Sequence, residues 1–312
     1  MPWHDRIKRN LKLRDLDVLM AVVQTGAMGR AAIRLHMSQP AVSKAVADLE
    51  HTFGVRLLHR SRRGVEPTPY GLALVKRGSA VFDEVRRSVE DIDFISDPTV
   101  GDIRIGTTEP IAAAIVSPVI NQLSKQYPKM TFHVSAADTR TLYRQLSELS
   151  IELVISRMPD AAAKDLSVEI LFHDPLIVAA GKNNPLTRRR KVEFPELMNE
   201  PWTIQPSDNF FGSLVADAFR SVGLSPPRLV VASTSHILRN DLVETGRFLT
   251  VLPGFTLKLP RSHPSLRAIP VEFPNVHHQI AVFTLKGRSL SPLAQMFIDR
   301  VRALVKPLAK AR

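Results

Sequence analysis

Cysteine is absent from all 312 residues. That removes disulfides, thiolate nucleophiles and cysteine-ligated zinc, and it fits a reducing, cytoplasmic setting. Long apolar runs are missing too; none approaches the roughly 20 residues of a membrane-spanning helix, so no membrane partner is expected. The nearest imitation is LDVLMAVV, behind Arg6, Lys8, Arg9, Lys12 and Arg14. It has the look of a secretory signal, but the run is short, Asp15 and Asp17 break its start, and Arg30 follows. Leu16, Leu19, Met20 and Val23 instead mark one face of an amphipathic helix. Gly101 and Gly106 lack the spacing of a phosphate loop, and no G-x-S-x-G elbow occurs. The ten histidines include no H-E-x-x-H, and His277-His278 would point to opposite faces of a strand. These gaps argue against an enzyme, a metal site and a bound cofactor.

Acidic residues are also scarce: 30 Asp and Glu stand against 42 Lys and Arg, a formal charge of +12. Such an excess favours a polyanion, nucleic acid before an acidic membrane surface. The excess is densest at the start, where residues 1–77 hold 14 basic and 6 acidic side chains. Within that block, Leu13–Gln24 predicts a first helix ended by Thr25-Gly26, and Met28–Leu35 a second with Ala31 and Ala32 at its centre. After His36-Met37, Ser38 supplies a cap, Pro40 a first-turn proline and Gly54 a stop. Val42, Ala45, Val46, Leu49 and Phe53 form an apolar stripe between them. Gln39, Ser43, Lys44 and Ala47 fall on another face, where an amide, a hydroxyl and an ammonium can read base edges or hold phosphates. Two short helices with a tight turn read as a helix-turn-helix.

A basic wing follows: strands Val55–Leu58 and Gly64–Glu66, with Arg60, Arg62 and Arg63 at the tip, placed to grip a phosphate backbone or enter a minor groove. Thr68-Pro69 starts a long helix to about Ile95. Its stripe of Val75, Ser79, Phe82, Val85, Val89 and Ile92 is narrow and heptad-like, as in a dimerising linker helix. Asp97-Pro98 ends it. From Asp102 onward strands and helices alternate, which predicts an α/β unit with parallel pairing. LFHDPLIVAAG gives strands around His173-Asp174-Pro175, where the chain could cross to a second lobe. Trp202–Ile204, Phe211–Val222, Leu229–Ala232, Ser235–Thr245 and FLTVLP repeat the alternation before HHQIAVFTL and a terminal helix Pro292–Val305.

The segment AAIRLHMSQPAVSKAVADLEHTFGVRLLHRSRRGVEPT resembles the LysR-type transcriptional regulators, and the likeness extends over nearly the whole chain. Met28 and Leu58 depart from the family's usual aromatics, as core exchanges. The resemblance implies a winged helix-turn-helix over 1–68, a linker helix over 69–97 and a periplasmic-binding-protein-like effector domain over 98–312. Lobe I would cover about 98–172 and 278–312, and lobe II about 173–277. It implies double-stranded DNA with a pseudo-palindromic promoter site as partner, a homodimer or homotetramer joined through the linker helix, and a small-molecule effector between the lobes. RNA polymerase is a further candidate partner. Gln39, Pro40, Ser43 and Lys44 match the family's DNA-contacting positions.

In two-lobed α/β folds, ligands meet strand carboxyl ends and helix N-termini. The candidates there are Thr107 and Thr108 after the first strand and Asp138 and Thr139 after the second, Thr139 as a helix cap. Arg157 follows the third strand, and Ser207, Ser233, Thr234 and Ser235 come from the other lobe. Each Ser or Thr is equally a plausible helix cap. Hydroxyls with one arginine suggest a small carboxylate or phosphate-bearing metabolite. A DNA-binding protein with no effector is the alternative.

Overall fold

The computed structural model describes residues 11–61, 64–97, 99–159, 164–259, 264–273 and 277–310. They divide into two units, one ending at Ile92 and the other beginning at Asp93.

In the first unit, α1 (Leu13–Thr25), α2 (Met28–Arg34) and α3 (Gln39–Phe53) enclose one core. Leu19, Val22, Ala31, Val42, Val46 and Leu49 are buried together there. Gly26 ends α1 at φ 66° and Gly54 ends α3 at φ 69°, left-handed positions that glycine adopts without a side-chain clash. The Ser38 hydroxyl accepts from Ala41 N at 3.3 Å and caps α3.

Strands β1 (Leu58–Ser61) and β2 (Gly64–Pro67) pair antiparallel, Leu58 opposite Pro67. The first wing strand therefore lies three residues later than Val55–Leu58. Glu50 Oε1 accepts from Leu57 N at 2.8 Å and from Leu58 N at 3.3 Å. Thr68 donates its N–H to Leu57 O and its hydroxyl to Arg56 O. These bonds commit the backbone of residues 56 and 57 to the connection into the wing, so the ladder starts after it. Arg60 moves from the expected tip into β1, and Arg62 and Arg63 lie outside the described residues.

Helix α4 (Pro69–Ser96) follows. A Cβ at Gly71 would fall 2.1 Å from Leu57 O, so glycine permits the close approach of helix to wing. Leu74 and Val75 join the core of the first unit. Further along, Val81, Val85, Val89, Ile92 and Ile95 are exposed. The expected stripe thus splits: Val75, Ser79 and Phe82 are half-buried, whereas Val85, Val89 and Ile92 face solvent.

The second unit opens with β3 (Val100–Thr107). Helical turns Glu109–Ile111 and a π-helical Ala112–Val116 lead into α5 (Ser117–Gln126). Then come β4 (Lys129–Ala136), α6 (Thr139–Ser147) and β5 (Leu153–Arg157). β3 pairs parallel with both β4 and β5, as the strand–helix alternation requires. β6 (Leu166–Gly181) is one continuous strand of 16 residues. After 3-10 turns at Pro185–Arg188 and Phe194–Asn199 come β7 (Trp202–Ile204), α7 (Phe210–Ser221), β8 (Leu229–Ala232) and α8 (His236–Glu244). β9 (Leu249–Pro253), α9 (Phe255–Lys258), β10 (Leu266–Ala268), β11 (His277–Leu285) and α10 (Pro292–Lys310) complete the chain.

The strands run in the order β4-β3-β5-β11-β6-β9-β7-β8, with β10 also on β6. β6 changes partners along its length. Residues 166–175 pair with β11, while 176–180 pair with β9. One core lies around β3, β5, α5 and α10, with Ile103, Ile105, Leu123 and Phe297 buried. Another lies around β7, β9 and α7, with Trp202, Phe219 and Leu249 buried. His173-Asp174-Pro175 marks the crossing between these two halves.

At that crossing Asp174 is buried, and its Oδ1 accepts from Phe255 N at 2.8 Å, capping α9. Its Oδ2 lies 3.7 Å from Nε2 of His278, the residue opposite it on β11, and makes no hydrogen bond among the described residues. Burial pushes the Asp174 carboxyl up to about 7, against the lowering pull of the Phe255 and Gly254 N–H groups and Lys258.

Candidate functional site

α3 divides sharply by face. Val42, Ala45, Val46 and Leu49 are buried, Gln39, Pro40, Lys44 and Ala47 are exposed, and Ser43 is half-buried. The structure thus presents the predicted amide, hydroxyl and ammonium together on one outward surface. The neighbouring arginines of α2 are engaged locally. Arg30 donates to Thr25 O from both Nε and Nη2, and Arg34 donates to Gln24 Oε1. Those bonds fix the turn before α2. In the wing, His59, Arg60 and Ser61 are exposed. Val65 N donates to Gly26 O, tying β2 to the α1–α2 turn. Glu50 is the residue that sequence reasoning missed here. Its side chain sits one helical turn before Gly54 and aims the wing from α3. A glutamate closing the apolar stripe of α3 was the available signal.

The residues expected to meet an effector have mixed fates. Thr107 ends β3 but is fully buried, and its hydroxyl donates to Ile155 O at 3.0 Å. It bridges β3 and β5 and is committed to the sheet. Thr108 occupies the cap position of Glu109–Ile111 without a side-chain capping bond. Asp138, not Thr139, caps α6: its Oδ1 accepts from Thr141 N and its Oδ2 from the Thr141 hydroxyl, which holds its carboxyl below the usual range. A short carboxylate competes well for a helix N-terminus. An anionic ligand at that end would face a fixed negative charge. Arg157 is half-buried at the end of β5, with Nη1 3.4 Å from Met158 O.

On the other half, Ser207 lies in the turn before α7, whose cap position is taken by Asn209. Ser233, Thr234 and Ser235 form the connection from β8 to α8. The Ser233 hydroxyl accepts from Ser235 N, and the Ser235 hydroxyl accepts from Leu238 N as the cap of α8. Arg239, one turn into α8, is buried and donates to Ser233 O. Burial pulls its guanidinium down to about 10. No composition or spacing signal singled it out, because a lone arginine in a helical stretch reads as surface. Among the described residues no group of three His, Asp or Glu side chains is placed to hold a metal.

A winged helix-turn-helix on a long helix, joined to a two-halved α/β unit, defines a ligand-responsive transcription regulator that binds DNA. Residues 13–72 match the family of bacterial regulatory helix-turn-helix proteins of the lysR family, and residues 96–306 match the LysR substrate binding domain. The chain belongs to the LysR family of transcriptional regulators. It is 29% identical to the HTH-type transcriptional regulator GbpR of Azospirillum brasilense, over 95% of this chain and 87% of that one. It is 27% identical to the HTH-type transcriptional regulator TdcA of Escherichia coli, over 92% and 91%. The fold is similar to a full-length OxyR variant from Pseudomonas aeruginosa, with TM-score 0.68 and 21% identity over 97% of this chain and 99% of that one. Full-length CbnR complexed with its target DNA gives TM-score 0.52 and 21% identity over 94% and 99%.

Proposed function

We propose that the protein reads a pseudo-palindromic promoter site in the cytoplasm as a homo-oligomer, and that a small organic anion bound in the α/β unit adjusts its grip. The observation that carries the reading is the outward surface of α3. Gln39 and Lys44 stand exposed on a helix whose opposite face is fully packed. Gln39 suits a bidentate contact to adenine, Lys44 and Ser43 suit base or phosphate oxygens, and Pro40 shapes the helix entry. Arg60, with Arg62 and Arg63, would add phosphate contacts from the wing. The exposed apolar run Val81, Val85, Val89, Ile92 and Ile95 on α4 supports pairing of two linker helices, since water-facing valines at this spacing gain by burial.

The test selects bound fragments from the source genome and measures affinity for them by fluorescence anisotropy. Gln39→Ala is expected to cost on the order of 1–3 kcal/mol and to relax preference at one base position. Lys44→Ala is expected to weaken all sequences and reduce the salt slope. Unchanged sequence preference and unchanged affinity in both variants would remove α3 from the reading role. Addition of an organic-anion panel to the same assay separates an effector-responsive regulator from an effector-independent one.

A further inference from the structure

Buried charge without an opposite charge is costly, so it marks either a structural ion pair or a ligand. Arg239 is 5% exposed, and no carboxylate is paired with it among the described residues. Its guanidinium donates to a neutral acceptor, Ser233 O. Burial lowers its proton affinity, and among the described residues no acid offsets that. Its position adds to the cost. Nη1 has folded back to the connection that caps α8, at the positive end of the helix dipole, where a cation is disfavoured.

A second polar group lies on the same side of the sheet. Trp202 and Ile204 of β7 pack into the core on the α7 side. Thr203 alternates to the opposite face, where Val231 of β8 and Val243 of α8 pack together. Thr203 is fully buried, and its hydroxyl has no hydrogen-bond partner among the described residues. α8 packs against β6, β7 and β9, so this helix covers that face. An orphaned hydroxyl and an uncompensated guanidinium thus share one interface, beside the carboxyl ends of the parallel strands β7 and β8. In open parallel sheets this end receives ligands.

We propose that Arg239 is the charge-recognition group of the effector site, taking a carboxylate or phosphate group of a small organic anion that enters at the Ser233–Ser235 connection. This rests on the organic-anion reading above and names the residue that enforces it. The guanidinium fork gives the anion two N–H donors, and neutralising it removes the cost of its burial. Arg157, half-buried on the other half, is then the lesser candidate for the charge.

The test compares full-length wild type, Arg239→Gln, Arg239→Lys and Arg157→Gln by thermal melts. Phosphate, acetate, succinate, benzoate and gluconate are titrated, with succinamide as the neutral control. Ligand binding to the folded state raises the melting temperature by mass action. Wild type is expected to rise with at least one anion and not with succinamide. Arg239→Gln should lose the shift, with at least tenfold weaker binding, while Arg239→Lys keeps part of it and Arg157→Gln keeps most. Without ligand, Arg239→Gln should melt no lower than wild type, because it removes an unpaired buried charge. An anion shift undiminished in Arg239→Gln overturns the role of Arg239 and leaves the organic-anion reading standing. Stabilisation of wild type by succinamide alone, or by none of the panel, overturns both. A low-melting Arg239→Gln restored by Arg239→Lys, with no anion effect in either, assigns Arg239 to a structural pair and overturns the proposal.

Discussion

Asp174→Asn tests whether the crossing between the two halves of the α/β unit carries a buried, protonated carboxyl. Asp174 is 2% exposed, and its folded-state value is pushed to about 7 by burial. An unfolded aspartate titrates near 4. The folded state therefore holds this proton more tightly than the unfolded one. Its contribution to stability is fully present below pH 4, is lost as pH rises toward 7, and is constant above. Three decades of proton affinity correspond to about 4 kcal/mol. For a protein of this size that is roughly 10 °C in melting temperature. The asparagine amide keeps an oxygen for Phe255 N and removes the charge. The variant is expected to match wild type below pH 4, to exceed it progressively as pH rises toward 7, and to keep a constant advantage above that. The facing groups are His278 on β11 and Lys258 on α9, neither of which changes in the variant. Thermal melts of both proteins at half-unit steps from pH 4 to 8 read the difference directly. A wild type with no pH dependence that the variant lacks, or a variant less stable than wild type at pH 8, would refute the reasoning. The latter result would mean that His278 carries a proton and pairs with an ionised Asp174.

Gly71→Ala is expected to destabilise the first unit by about 1–3 kcal/mol, because its Cβ would meet Leu57 O at 2.1 Å and backbone must move. Chemical denaturation followed by far-ultraviolet circular dichroism measures it, and an unchanged midpoint would show that α4 does not sit against the wing as described. Val85→Asp with Val89→Asp adds two charges to the exposed stripe of α4 without touching the core of the first unit. Sedimentation velocity should show a smaller species with an unchanged melting profile of the N-terminal unit; an unaltered oligomer would place the subunit interface elsewhere.

The helix-turn-helix was legible because its signals are local. A serine cap, a first-turn proline, a stop glycine and a stripe at helical spacing all occur within 17 residues, and each acts on its own neighbours. The strand–helix alternation of the second unit was legible for the same reason. The wing register was not. It depends on Glu50 and Thr68 reaching residues 56–58 from outside the strand, and no periodicity carries that information. The heptad stripe was half legible: its spacing appears in the sequence, but only packing tells which part turns inward, and Gly71 and Gly78 at α4's near end decided that. Among the effector candidates, Thr107 and Asp138 were chosen for chemistry that the fold had already spent on a sheet bridge and a helix cap. Arg239 escaped notice because burial of an arginine is a tertiary fact.

An effector alters DNA binding only if it binds two conformations of the protein unequally. In the α/β unit the two halves meet where β6 changes partner. β6 runs through the crossing as one strand and exchanges β11 for β9 at Pro175–Leu176, where β11 begins. Rotation of one half against the other would bear on residues 173–176 of β6 and on the β9–α9 connection, since β9 packs in one core and Phe255 and Leu259 in the other. Asp174 stands in that window and holds the N-terminus of α9 through Phe255 N, while Gly254 N holds Pro175 O. Asp174 thus ties β6 to the start of α9 at the crossing. Arg239, on the half beyond the crossing, has no share in those bonds. An anion bound at Arg239 would act on the other half across this crossing, through β6 and through Phe255 and Leu259, which pack in the core around β3 and β5.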